Sequence, residues 1–297
     1  MALSHDPLWP RAGSWPAFDD AADAVLLGVP AWRSSLSPTG AHATPAAVRE
    51  ALARYSPTLM GPPAVDLNAV LRIADAGDVS EPDGEEGIAA VVQRVREFGP
   101  AFTIALGGDN SVTYPVARGA RATGLITFDA HFDLRDGVSN GSPVRRLVED
   151  APDEERIDPR RIVQIGIADF TNSVAYAQRA ADWGIRVIAL DELRRRGIPD
   201  VLAEALEIAG AGDGARVHLD IDVDVCDRSV APGCPASAPG GLAAWELRAL
   251  TRGVASDARV VSADLVEVDA TADAEDARTV RLTALCVLEL LAGLASR

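Results

Sequence analysis

Eight short apolar runs, spread along the whole chain and separated by stretches of helical periodicity, constrain the fold more than any other feature. They cover 24–29, 70–74, 101–106, 125–128, 161–165, 185–190, 216–221 and 259–266. Such runs suit strands buried on both faces, and their alternation with helices calls for a parallel sheet between two helical layers. Between the second and third runs, Ile88, Val91, Val92, Val95 and Phe98 form one apolar helical stripe. Thr44-Pro45 ahead of 46–53 reads as an N-cap with proline at the first turn. The stretch 77–87, with Pro82 and several acids, reads as a solvated connection. The most apolar segment, 282–294, contains Glu289 and falls short of the ~20 residues of a membrane span, so it reads as a buried terminal helix. The expectation is one α/β domain over 1–297, a three-layer αβα arrangement with a central, mostly parallel eight-stranded sheet. Ligands then sit beyond the carboxyl ends of the strands.

Composition narrows the partners. A chain of 297 residues with 48% hydrophobic content supports one large core. A formal net charge of −16 and a pI near 4.6 argue against nucleic acid or an anionic membrane, whose phosphates would be repelled. A small molecule remains compatible. The chain has no lysine, a compositional bias from which no function follows. Cys226, Cys234 and Cys286 make an odd count without zinc or disulfide spacing, which points to a reducing cytoplasm. The first residues show no basic segment followed by an apolar one, so no signal peptide is expected.

Three motifs fall at the ends of strand-like runs. The first is Thr127-Phe128-Asp129-Ala130-His131-Phe132-Asp133. If the chain stays extended there, Asp129, His131 and Asp133 share one face. Ionisable groups converging beside an apolar strand are costly to bury uncompensated, and a divalent metal is the usual answer; the alternative is a polar strand end facing water. A second acidic run, His218-Leu219-Asp220-Ile221-Asp222-Val223-Asp224, repeats the pattern far away in sequence. The third, Leu106-Gly107-Gly108-Asp109-Asn110-Ser111, carries glycines that let the backbone turn close to a ligand.

Together these motifs resemble the ureohydrolase family of arginase, agmatinase and formiminoglutamase, over nearly the whole chain. The family's marks are a Gly-Gly-Asp-His-Ser turn, an Asp-Ala-His-x-Asp strand end and a later Asp-x-Asp strand end. The resemblance implies an arginase-like fold and a metal set of Asp129, His131, Asp133, Asp222 and Asp224, with Asp129 and Asp222 bridging two Mn²⁺ ions. Asp133 would serve one ion, His131 and Asp224 the other. Zinc, iron or nickel are alternatives to manganese. The ions would make a water acidic enough to ionise near neutral pH. Asp220 stands where the family usually has Ser or Thr and is read as an orienting acceptor behind the ligands. Asn110 replaces the family histidine, so one ion is expected to bind weakly, be replaced or be absent. His5, His42 and His218 are read as structural, leaving no substitute histidine.

Within the family, Asn140 stands where arginases and agmatinases have a proton-handling histidine, which counts against both. Leu134-Arg135 followed by Ser139-Asn140-Gly141-Ser142-Pro143, and Gly166-Ile167 with Asn172-Ser173, look more like formiminoglutamase. That enzyme hydrolyses N-formimidoyl-L-glutamate to L-glutamate and formamide. The resemblance then places Arg135, Asn140, Ser142 and Glu267 around the substrate. Arg135 would hold a carboxylate, unless it pairs with Asp136 or another local acid. Glu267 would sit against the cationic amidine, and Asp133 would carry a proton to the leaving nitrogen. Two alternatives stay open: a hydrolase of another guanidino compound (guanidinobutyrate, agmatine or arginine type) and a non-catalytic binding protein. The family also implies a homo-oligomer, trimer or hexamer.

Overall fold

The computed structural model describes residues 6–297. Eight strands form the main sheet: β1 Ala24–Val29, β2 Ile73–Asp78, β3 Phe102–Gly107, β4 Gly124–Phe128, β5 Ile162–Ile167, β6 Arg186–Ala189, β7 Val217–Asp222 and β8 Val260–Val266. Their order is β2-β1-β3-β8-β7-β4-β5-β6, and every neighbouring pair is parallel. Alternate side chains of one strand enter different cores, as period-two geometry requires. In β1, Leu26 joins the core under the helices Thr44–Leu52, Ile198–Ala209, Ala244–Ala255 and Arg278–Leu294, while Val25, Leu27 and Val29 join the core under Gly84–Glu97 and Thr113–Gly119. Double-sided burial explains why the strands read as continuous apolar runs.

Three expectations need correction. The second strand begins at Ile73, not at 70, because Leu67–Val70 forms a helical turn whose cap, Asp66, accepts from Asn68 N at 3.0 Å. This strand lies at the sheet edge, and its outer half, through Asp78, is polar and partly exposed, which hid it from a hydrophobicity reading. Thr44 is not an N-cap. It lies inside the helix and donates to Val268 O at 2.5 Å, tying the helix to the segment that follows β8. The 77–87 stretch is only in part a loop, since β2 runs to Asp78, the next helix starts at Gly84, and Asp83 accepts from Trp32 N and Arg33 N. The terminal helix is buried as expected, with Glu289 paired to Arg248 and Arg252.

The four central strands end level. Leu106 pairs with Leu265, Val266 with Asp222, and Ile221 with Phe128. Every motif therefore opens onto the same edge of the sheet, the position where an open α/β sheet binds ligands. Among the described residues, no helix is long and apolar enough to cross a membrane.

Candidate metal centre

The acids converge, but by turns rather than by strand alternation. β4 stops at Phe128, and Asp129 Oδ1 accepts His131 N at 2.6 Å, folding the chain back on itself; Asp133 then takes a left-handed backbone conformation, φ +53°. Likewise β7 stops at Asp222, whose Oδ1 accepts Asp224 N at 2.8 Å and starts a single helical turn. Two clusters result. Oxygen and nitrogen atoms of Asp129, His131 and Asp224 lie within 4.8 Å of one another, as do oxygens of Asp129, Asp133 and Asp222. Asp129 belongs to both. His131 Nδ1 stands 3.0 Å from Asp224 Oδ2 and 3.4 Å from Asp129 Oδ1.

Asp220 joins neither cluster. It is fully buried inside β7 with both carboxylate oxygens lacking a hydrogen-bond partner, so no ligand is oriented by it. His218 is buried too, bonded through its ring nitrogens to Ser262 and Asp264. His42 lies on a short turn beside Trp32, and His5 falls outside the described residues.

Asn110, at the end of β3, presents its amide nitrogen to the acids. Nδ2 donates to Asp133 Oδ2 at 2.5 Å and to Asp222 Oδ2 at 3.2 Å, while Oδ1 accepts from Thr113 Oγ1 at 2.7 Å. Asn110 is thus a hydrogen-bond donor to two of the acids. Glu267, also left-handed at φ +60°, follows β8; its Oε1 accepts from Asn110 N at 2.8 Å and from Asn140 Nδ2 at 2.6 Å. A non-glycine residue in that conformation costs of order 1 kcal/mol and persists only where surroundings enforce it.

His131, Asp133, Asp222, Asp224 and Glu267 line a cavity of about 730 Å³ with Arg135, Asn140, Phe170, Asn172, Tyr176 and Arg179 on its walls. Asp136, the partner considered for Arg135, bonds Arg179 at 2.8 Å instead. Among the described residues the Arg135 guanidinium has neither ion pair nor hydrogen bond. Ser142 is no part of the wall. It is buried at the start of the helix Pro143–Glu149 and closes a turn, accepting from Ser139 N and donating to Ser139 O, which corrects its reading as a substrate contact.

The arginase family model matches residues 22–293. The chain belongs to the arginase family. It is 33% identical over 287 residues to the formimidoylglutamase of Bacillus subtilis, covering 93% of this chain and 88% of that one. It is 34% identical over 297 residues to the guanidinopropionase of Pseudomonas aeruginosa, covering 94% and 90%. The crystal structure of the Bacillus enzyme matches with a TM-score of 0.89 at 30% identity, over 99% of this chain and 94% of that one. Trypanosoma cruzi formiminoglutamase with Mn²⁺₂ matches with a TM-score of 0.86 at 26% identity, over 97% and 99%. As a ureohydrolase, the protein is an enzyme acting on C–N bonds of linear amidines, which sets the non-catalytic alternative aside.

The donor set of this ureohydrolase suits divalent ions. Asp129 Oδ2 is buried without any hydrogen-bond partner, an orphaned anion that a cation would complete. Burial first, then the charge of Asp224, pushes the Asp129 carboxyl up to about 6 despite its bond to His131. Burial and neighbouring carboxylates, Asp129 for Asp133 and Asp224 for Asp222, push both of those well above the usual range. Burial and the charge of Asp109 push Glu267 up to about 8, against the hydrogen bonds from Asn140 and Asn110. For His131, burial pulls the imidazole down, but the charge of Asp224 and hydrogen bonds to Asp129 and Asp224 outweigh it and raise it to about 12. Carboxylates packed this tightly are the signature of a site built for positive charge.

One wall of the cavity was invisible to sequence reading. Ser35, Leu36, Ser37 and Thr39 come from the segment after β1, pinned by three separate polar groups. Asp109 accepts from the hydroxyls of Ser34 and Ser35, Asn140 Oδ1 accepts from Leu36 N at 3.0 Å, and Asp269 accepts from Gly40 N at 2.7 Å. Asp109 sits within the Gly-Gly-Asp turn, but nothing local tells that it reaches back some 75 residues.

Proposed function

We propose that this ureohydrolase hydrolyses N-formimidoyl-L-glutamate to L-glutamate and formamide. Water adds to the formimidoyl carbon, and the bond from that carbon to the glutamate nitrogen breaks. The observation that carries this reading is a cavity with clustered acids at its floor and, in its wall, a guanidinium with no protein partner. Arg135 would grip a substrate carboxylate through paired hydrogen bonds. Agmatine has none to offer.

Asp129, His131 and Asp224 would hold one Mn²⁺ and Asp129, Asp133 and Asp222 the other; oxygen-rich sites with an imidazole suit manganese. When bound, the ions supply a water acidic enough to ionise near neutral pH. The position of Asp133 and Asp222 is the weaker one, because Asn110 turns its amide nitrogen toward it. Glu267, fixed by two amides, binds the cationic amidine and holds its carbon at the floor of the cavity. Asp133 takes the proton given up by the attacking water and passes it to the leaving nitrogen. The enzyme works as a cytoplasmic homo-oligomer, trimer or hexamer, which sedimentation of the pure protein tests.

A second reading, a hydrolase of a guanidino acid such as guanidinobutyrate, shares the unpaired Arg135. Formamide release from N-formimidoyl-L-glutamate by Mn²⁺-loaded protein, run beside urea release from 3-guanidinopropionate, 4-guanidinobutyrate, agmatine and arginine, separates them. Faster urea release from a guanidino acid would replace the formimidoyl substrate.

A further inference from the structure

Asn172 lies in the connection between β5 and the helix Val174–Trp183, and its side chain does not serve the cavity it borders. Its amide lies against the chain that bears His131. Nδ2 donates to Ala130 O at 2.8 Å, and Oδ1 accepts Phe132 N at 3.0 Å. The amide thus reproduces, on the peptide groups either side of His131, the paired bonds of a neighbouring strand, at a place where β4 has already ended.

Other groups reinforce the clamp. Ala130 O also receives Thr171 Oγ1 at 3.0 Å and Ala168 N at 3.1 Å, and Phe132 O receives Gln164 Nε2 at 3.0 Å. Nδ2 of Asn172 lies in addition 3.3 Å from Ala168 O and 3.0 Å from Thr171 Oγ1, so its hydrogens are engaged by protein and none is aimed at a substrate. Fixing both flanking peptides fixes the Cα–Cβ direction of His131, from which the imidazole reaches Asp224 at 3.0 Å. No comparable clamp from this connection reaches Asp133, whose carboxylate is met by Asn110.

We propose that Asn172 is a positioning residue for His131, acting on the Asp129–His131–Asp224 position and leaving the Asp129–Asp133–Asp222 position unaffected. The inference rests on reading the acid clusters as a metal centre. Partners that orient a metal-binding side chain typically cost 10–100-fold in metal affinity when removed.

The test is titration of the full-length, metal-free protein with Mn²⁺ by calorimetry, with electron paramagnetic resonance counting bound ions, for wild type, Asn172→Ala and Thr171→Val. The expected result is two ions in wild type and, in Asn172→Ala, one affinity lowered by about 10–100-fold with the other within about twofold. Metal-free Asn172→Ala should melt within about 3 °C of wild type. Thr171→Val, which leaves Phe132 N held, should bind both ions as wild type does. Two ions bound with unchanged affinity by Asn172→Ala would overturn the positioning role alone. Equal weakening of both ions together with a lowered melting temperature would reduce Asn172 to a structural residue. Wild type that takes up no Mn²⁺ would instead overturn the metal-centre reading, and the positioning role with it. Asn172→Ser cannot span both peptides and gives the same split if the alanine variant does not fold.

Discussion

Asn140 Nδ2 and the backbone N of Asn110 donate to the same oxygen of Glu267, at 2.6 and 2.8 Å, so two asparagines from separate loops fix one carboxylate at the cavity floor. The other oxygen carries no such bond and would be the one to meet the cationic amidine of the proposed substrate. Glu267→Gln removes the charge while keeping the shape. We expect kcat/KM for the amidine substrate to fall by about 10²-fold or more, the usual scale for a charge used at the reacting centre. Asn140→Ala should raise KM more than it lowers kcat, because it loosens Glu267 without removing it. Steady-state kinetics of both variants decide this, and a Glu267→Gln enzyme of undiminished kcat/KM would remove Glu267 from the reaction.

Arg135 offers the sharpest test of substrate class. A charge-assisted hydrogen bond to a carboxylate is worth about 1.5–3 kcal/mol, so Arg135→Ala should raise KM for N-formimidoyl-L-glutamate by about 10–100-fold. A simple alkyl formamidine without a carboxylate should be turned over equally by both proteins. If the variant is impaired equally on both substrates, Arg135 does not grip the carboxylate.

The strands were legible because parallel strands buried on both faces write themselves as apolar runs. The edge strand β2 was misplaced because Asp75 and Asp78, paired with Arg49, make its outer half polar. The metal cluster was legible as residue types. Its geometry was not, since period-two alternation does not foresee the left-handed Asp133 or the turn started by Asp129. Ser142 shows the opposite failure. A motif match carries a residue's neighbourhood, not the direction of its side chain, and here the hydroxyl is spent on Ser139. Asp109, Asn172 and Asp269 act through contacts with segments distant in sequence, so no local pattern announces those contacts.

Gly108 predicts a stability defect. A Cβ there would stand 1.8 Å from Ala31 O, while Gly108 N donates to Val29 O, Asp109 N donates to Ala31 O and Glu267 N donates to Gly108 O. Gly108→Ala must push the start of the cavity wall away from the turn that carries Asn110. We expect a loss of about 2–4 kcal/mol in denaturant unfolding, the range of an unrelievable backbone clash. Gly137→Ala is the control for left-handed strain, with φ +80° and no atom near the added carbon, and should lose only about 1–2 kcal/mol. Equal losses would show that the Ala31 contact yields.

The crowded acids also set a pH dependence with a definite sign. Asp129 at about 6, Glu267 at about 8, and Asp133 and Asp222 well above the usual carboxylate range all bind protons more tightly folded than unfolded. In the window from about 4 to about 8 the native state therefore holds more protons, and stability falls as pH rises through it. His131, raised to about 12, adds stability that is complete below about 6.5 and is lost as pH climbs further, so it tilts the same way. Metal-free protein should consequently melt lower at pH 8 than at pH 5.5. Mn²⁺ displaces these protons, so its stabilising increment should be larger at pH 8 than at pH 6, and its binding heat should vary with buffer ionisation enthalpy as protons are released. Thermal melts at both pH values, with and without Mn²⁺, and calorimetry in two buffers measure all three. A metal-free melting temperature that rises from pH 5.5 to pH 8 would mean that the acids sit ionised without an ion to hold them.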